Sequence, residues 1–174
     1  MSVSFFVVFL SLYTYYSESN KNLTAMSTLN QINEFLSSKP IAMVGVSRNP
    51  KKFGYTAFKE LKEKGMNIIP VNPEADEILG EKSYKDVSKL PSDVKAIIIM
   101  TKKEKTAAVV KEAKEKGISQ IWIQQMAETP EALDLLKDSG INYISKECIL
   151  MHYKPHSIHK FHRAINKFFG KFPK

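Results

Sequence analysis

The stretch IAMVGVSRNPKKFGYTAFKELKEK, residues 41–64, decides how the chain folds. Ile41 to Val44 is a compact apolar run, the form of a strand buried on both faces. From Tyr55 to Lys64 the period becomes helical. Ala57, Phe58 and Leu61 point one way, Lys59, Glu60, Lys62, Glu63 and Lys64 the other, and Gly65 closes the helix. Between strand and helix lies the loop Gly45 to Gly54. A helix that starts there offers free N–H groups and the positive end of its dipole, which favours a phosphate. Gly45 permits the tight turn, Ser47 adds a hydroxyl, and Arg48, Lys51 and Lys52 add positive charge. Gly54 lets the helix begin close to a ligand.

The same alternation continues downstream. Asn67 to Val71 reads as a second strand, stopped by Asn72-Pro73. Tyr84 to Ser88 reads as a helical turn, and Lys95 to Met100, with three consecutive isoleucines, as a third strand. Lys103 to Lys116 is expected to be a helix closed by Gly117, and Gln120 to Ile123 a fourth strand. Thr129 caps a helix over Pro130 to Ser139, and Ile141 to Ile144 is a fifth strand. Upstream, Thr28 caps a short helix ending near Leu36. Strands alternating with helices through short connections imply parallel pairing by right-handed crossovers. The expected fold is α/β: a Rossmann-like, doubly wound, five-stranded parallel sheet with helices on both faces. Its site belongs at the carboxyl ends of the strands.

The loop is neither of the common phosphate fingerprints. Ser47 stands where G-x-G-x-x-G has its second glycine, and G-x-x-x-x-G-K-[ST] is absent. Asn72-Pro73 occupies the place of the acid that takes ribose hydroxyls in dinucleotide enzymes, so a plain NAD site is disfavoured. An NAD- or adenine-nucleotide-responsive regulator or enzyme is the alternative reading.

Three runs then combine: IAMVGVSRNPKKFG at 41–54, IPVNP at 69–73 and IWIQQ at 121–125. Together they resemble the coenzyme A-binding domain proteins, small relatives of the N-terminal domain of the succinyl-CoA synthetase α subunit. The resemblance covers about residues 40–150. It implies a non-catalytic module that binds coenzyme A or an acyl-CoA across the strand tips. On that resemblance Gly45, Val46, Ser47, Arg48 and Lys52 meet the pyrophosphate, with Pro50 and Gly54 in the same loop. Asn72 and Pro73 border the adenosine end, and Thr101, Lys102 and Gln125 line the rest of the groove. The synthetase's phosphorylated histidine lies in a second domain that has no counterpart in this sequence, so ligase activity is not carried over. No catalytic residue is assigned, and whether the chain is an enzyme stays open.

Bulk properties agree with this. A chain of 174 residues suffices for one ordinary domain. Its formal net charge of +8 favours anionic partners. Cys148 is the only cysteine, which excludes an internal disulfide and suits a reducing, cytoplasmic setting. A buried thiol is preferred there over a mixed disulfide with coenzyme A. Residues 1–25 are expected to be an extension ahead of a domain at 26–150. Their apolar run, Phe5 to Leu12, is too short to span a bilayer and has no basic residue before it. The basic tail, 151–174, is expected to hold an amphipathic helix over Ser157 to Phe169 that docks on the domain or on a protein partner, a second copy included. Nucleic acid is not the expected partner. His152, His156, His159 and His162 in the tail are read as polar packing rather than a metal site.

Overall fold

The computed structural model describes residues 27–155. The expectations for residues 1–25, for the helix Ser157 to Phe169 and for His156, His159 and His162 lie outside the described residues. In chain order the elements are α1 (Leu29–Ser37), β1 (Ile41–Val44), α2 (Phe53–Glu63), β2 (Ile68–Val71), β3 (Glu77–Ile78) and β4 (Glu81–Lys82). A one-turn 3-10 helix (Val87–Lys89) follows, then β5 (Ala96–Ile99), α3 (Lys103–Glu115), β6 (Gln120–Gln124), α4 (Pro130–Leu136), β7 (Asn142–Glu147) and α5 (Ile149–His152).

The main sheet has the order β2-β1-β5-β6-β7, and every pair is parallel. The strands read as unbroken apolar runs because both faces are covered, and their alternate residues go to separate cores. Ile41 and Met43 of β1, Ile98 of β5 and Trp122 of β6 pack with Phe35, Phe58 and Leu61. Ala42 and Val44, Ile97 and Ile99, and Ile121 and Ile123 pack with Val110, Ala113 and Leu136. So α1, α2 and α5 cover one face, and α3 and α4 cover the other. Pro70 sits in β2, an edge strand, where its missing N–H costs no ladder bond. The outer edge of β2 is met by Tyr84, which donates to the Pro70 carbonyl and accepts from the Asn72 N–H.

Several boundaries differ from the sequence reading. α2 begins at Phe53, two residues before Tyr55. Tyr84 to Ser88 is not a helical turn: Tyr84 bridges to Val71, and the turn is Val87–Lys89, capped by Asp86. The β3–β4 hairpin was not foreseen. Its turn places Leu79 at φ 52° and Gly80 at φ 79°, and a leucine gives no signal for a left-handed position. α4 stops at Leu136, short of Ser139, whose N–H and hydroxyl both turn back to the Leu136 carbonyl. β7 runs on to Glu147, past Ile144, through a register shift opposite Trp122 and Gln124 with Lys146 at φ 62°.

Among the described residues, no helix is long and apolar enough to cross a membrane. Cys148 is buried, with 8% of its surface exposed. His152 Nε2 lies 2.9 Å from Glu147 Oε2, an acid contributed by β7. No group of three or more His, Cys, Asp or Glu among the described residues could hold a metal ion.

Candidate functional site

The sheet order reverses direction between β1 and β5: the chain leaves β1 for β2 on one side and returns to β5 on the other. Connections diverge at such a point and open a crevice beyond the strand ends. Here the crevice is a cavity of about 610 Å³, within the usual range for ligand clefts. One wall is the β1–α2 loop with Gly45, Ser47, Lys52, Phe53 and Gly54. Val71 and Pro73 line it after β2, together with Lys85, Asp86 and Val87. Met100, Thr101 and Lys102 follow β5, and Lys105, Val109 and Glu112 form one stripe of α3.

Two glycines shape the loop. Gly45 stands at φ 93°, and a Cβ there would lie 2.7 Å from the Met100 carbonyl oxygen. A Cβ on Gly54 would lie 2.5 Å from the carbonyl oxygen of Gly45. The first turn of α2 therefore rests on the turn that leaves β1, and the loop passes directly over the end of β5. Side chains then fix its path. Ser47 Oγ accepts from the Asn49 N–H at 3.0 Å, and Asn49 Oδ1 accepts from the Lys51 N–H at 2.9 Å. Asn72 Nδ2 donates to the Val46 carbonyl at 2.6 Å, and its Oδ1 accepts from the Glu74 N–H at 2.7 Å.

The helix starts are capped in different ways; at α5 the N-cap Cys148 makes no side-chain cap, but Gln124 Oε1 accepts from the Ile149 N–H at 3.2 Å. α1 has a Thr28–Gln31 capping box, and the Thr129 side chain caps α4. α2 and α3 begin at Lys52 and Lys102, neither of which makes a side-chain cap. Their first N–H groups are left for another acceptor. Of the four lysines on the cavity wall, Lys85 is tied to Asp76 at 2.7 Å. Lys52, Lys102 and Lys105 have no ion pair among the described residues. The Ser88 hydroxyl, hydrogen-bonded to Asp86, holds its carboxyl below the usual carboxylate range, so this group is anionic at neutral pH.

The structure brings seven of the residues singled out in the sequence to this wall: Gly45, Ser47, Lys52, Gly54, Pro73, Thr101 and Lys102. Lys51 is exposed outside the cavity lining, and five others stand elsewhere. Val46 is buried in the core, and Pro50 is exposed outside the cavity lining. Arg48 turns to Glu74, 3.2 Å away, in an exposed ion pair of the kind worth little. Asn72 uses its amide on the backbone. Gln125 is exposed, and its N–H donates to the Glu147 carbonyl. Phe53, Lys85, Asp86, Lys105 and Glu112 were missed. A mixed stripe such as Lys105, Val109, Glu112 does not reveal which face meets a cavity.

Asn72→Ala is expected to lower stability by about 1–2 kcal/mol, because a carbonyl and an N–H lose their partners at once. Urea unfolding measures this, and an unchanged midpoint would mean that the two bonds do not brace the loop.

A family model described as the CoA binding domain matches residues 39–154. The chain belongs to the CoA binding domain family. Its CoA binding domain is 32% identical over 126 residues to the α subunit of an ADP-forming acetate–CoA ligase II from Pyrococcus furiosus. That match takes in 66% of this chain but 28% of the ligase subunit, so the chain spans just over a quarter of that relative. A second relative is the uncharacterized protein YneT of Bacillus subtilis, 32% identical over 120 residues, with 68% of this chain and 89% of YneT aligned. Among solved structures, a conserved hypothetical protein from Pyrococcus furiosus superimposes with a TM-score of 0.62 at 40% identity, covering 64% of this chain and 97% of that one. A CoA binding domain thus occurs both within a ligase subunit and in a small protein.

Proposed function

We propose that this chain binds coenzyme A or an acyl-CoA as a non-catalytic, cytoplasmic module, with the diphosphate held at the start of α2. The observation that carries this is the contact of Gly54 with Gly45, which leaves the uncapped opening of α2 and the unpaired Lys52 facing the cavity. Free N–H groups, a dipole end and an ammonium together suit a diphosphate. Ser47 Oγ is already an acceptor within the loop, which leaves its own proton to donate to a phosphate oxygen. Arg48 exchanges its weak surface partner Glu74 for the ligand. Thr101 follows the ligand along the crevice, and Pro50 and Gln125 border its exposed part. Asn72 acts on the ligand through Val46, by holding the loop. With its amide used on the backbone, Asn72 is not free to grip ribose hydroxyls, which favours coenzyme A over NAD.

Thermal melting with coenzyme A, NAD and ATP tests the reading. Ligand at a hundred times its Kd stabilises by about 2.7 kcal/mol, which for a chain of this size raises Tm by roughly 5–10 °C. Coenzyme A is expected to give such a shift and the other two much smaller ones. Equal shifts from all three would refute the preference. Lys52→Ala is expected to weaken coenzyme A binding by about 1–3 kcal/mol, the scale of a lost charge-assisted bond. Calorimetric titration checks this, and undiminished affinity would place the diphosphate elsewhere.

A further inference from the structure

The cavity has a second cationic corner that a diphosphate on α2 leaves untouched. Lys102 and Lys105 face the cavity from the cap and first turn of α3. Both are without an ion pair among the described residues. This is a poor place for lysine if only stability counts. The positive end of a helix dipole disfavours cations, and like charges three residues apart on a helix repel. Lys103 adds a third positive charge, and Glu104 is the only acid in that turn. By contrast α4, whose start does not line the cavity, carries the Thr129 cap and Glu131 in its first turn. Local rules broken at a cavity wall mark a functional site. Glu112 sits seven residues further along the same stripe, about 10 Å away at the helical rise, so the cationic part of this wall is confined to the Lys102–Lys105 end.

We propose that Lys102 and Lys105 receive a second anionic group of the ligand, separate from the diphosphate, and make the chain selective for ligands that carry one. The proposal rests on the coenzyme A reading above and adds to it a determinant of specificity. The group is a phosphate monoester or a carboxylate. Coenzyme A thioesters offer both: the phosphate on the adenosine ribose, and a carboxylate on an acidic acyl chain.

Four probes separate the sources: coenzyme A, dephospho-coenzyme A, acetyl-CoA and succinyl-CoA. Each is titrated calorimetrically into the full chain and into the Lys102→Ala, Lys105→Ala double variant. The variant is expected to bind the ligand with the extra anion at least about tenfold more weakly, the scale of a lost charge-assisted contact, and its counterpart unchanged. A loss for every probe except dephospho-coenzyme A assigns the ribose phosphate. A loss for succinyl-CoA alone assigns the acyl carboxylate. Equal loss for all four, or no loss, overturns the proposal. Wild-type protein supplies the same test without substitution: a preference below about twofold in both pairs overturns it too. Wild type that binds none of the four would sink the coenzyme A reading itself. Wild type that binds with an indifferent variant sinks only the second anion. Both lysines are exposed, so the variant is expected to melt no lower than wild type.

Discussion

Gly45→Ala is expected to destabilise the chain by about 3 kcal/mol and to abolish the thermal shift given by coenzyme A. Two costs add at this position. A residue with a Cβ held at φ 93° is strained by roughly 1–3 kcal/mol. The Cβ would also stand 2.7 Å from the Met100 carbonyl oxygen and 3.0 Å from the Thr101 nitrogen. These are backbone atoms at the end of a central strand and cannot swing aside as a side chain does. Relief requires the ends of β1 and β5 to separate, which moves the loop that Gly54 touches. For a chain of this size the loss corresponds to a fall in Tm of about 6–12 °C. Gly117→Ala is the control. Gly117 lies at φ 73°, and a methyl group added there would meet nothing within 4 Å, so this substitution brings strain without collision. Urea unfolding of both variants decides the matter: if Gly45→Ala is no worse than Gly117→Ala, the close approach over β5 is not a constraint.

Trp122→Ala is expected to cost about 3–5 kcal/mol, the range for deleting a large buried aromatic side chain. Trp122 is fully buried. Its ring meets Phe35 edge-on at 5.4 Å and lies 5.5 Å from the His152 ring. Its indole nitrogen donates to the Glu147 carbonyl at 3.1 Å. The substitution therefore leaves a cavity and removes one of the two bonds to the Glu147 carbonyl, which keeps the Gln125 N–H. Trp122→Phe separates the two, since it keeps most of the volume and forfeits the bond. The lost bond is expected to cost about 0.5–1.5 kcal/mol, since the carbonyl keeps another donor. Circular dichroism follows both variants. If the alanine variant costs no more than the phenylalanine variant, packing around the indole contributes little.

The fold was legible because its signals are redundant. Ile41 to Val44 and the three isoleucines of β5 are too short for helices and too apolar for surface strands. Thr129-Pro130 marks a helix start by composition alone. Strand order was not legible, because nothing local tells β1 that its neighbours are β2 and β5. The Leu79 turn and the bulge at Lys146 escaped for a related reason: tertiary pairing imposes a left-handed backbone on residues that do not advertise it. At the site, the loop between Gly45 and Gly54 was readable because its glycines and cations are contiguous. Asn72 shows the limit. Its place after β2 suggested a ligand contact, whereas its amide is used to hold the loop. Lys85 reaches the cavity from one stretch of chain, and Lys105 and Glu112 reach it from another.

The bracing by Asn72 bears on how quickly a ligand is caught. In the proposed binding mode, the clamp of that amide on the carbonyl of Val46 and the nitrogen of Glu74 sets the receiving curve before anything arrives. Little ordering entropy remains to be spent at the moment of encounter. Arrival is then governed by diffusion and by the excess positive charge, and differences in affinity between related ligands show up as differences in how long each one stays.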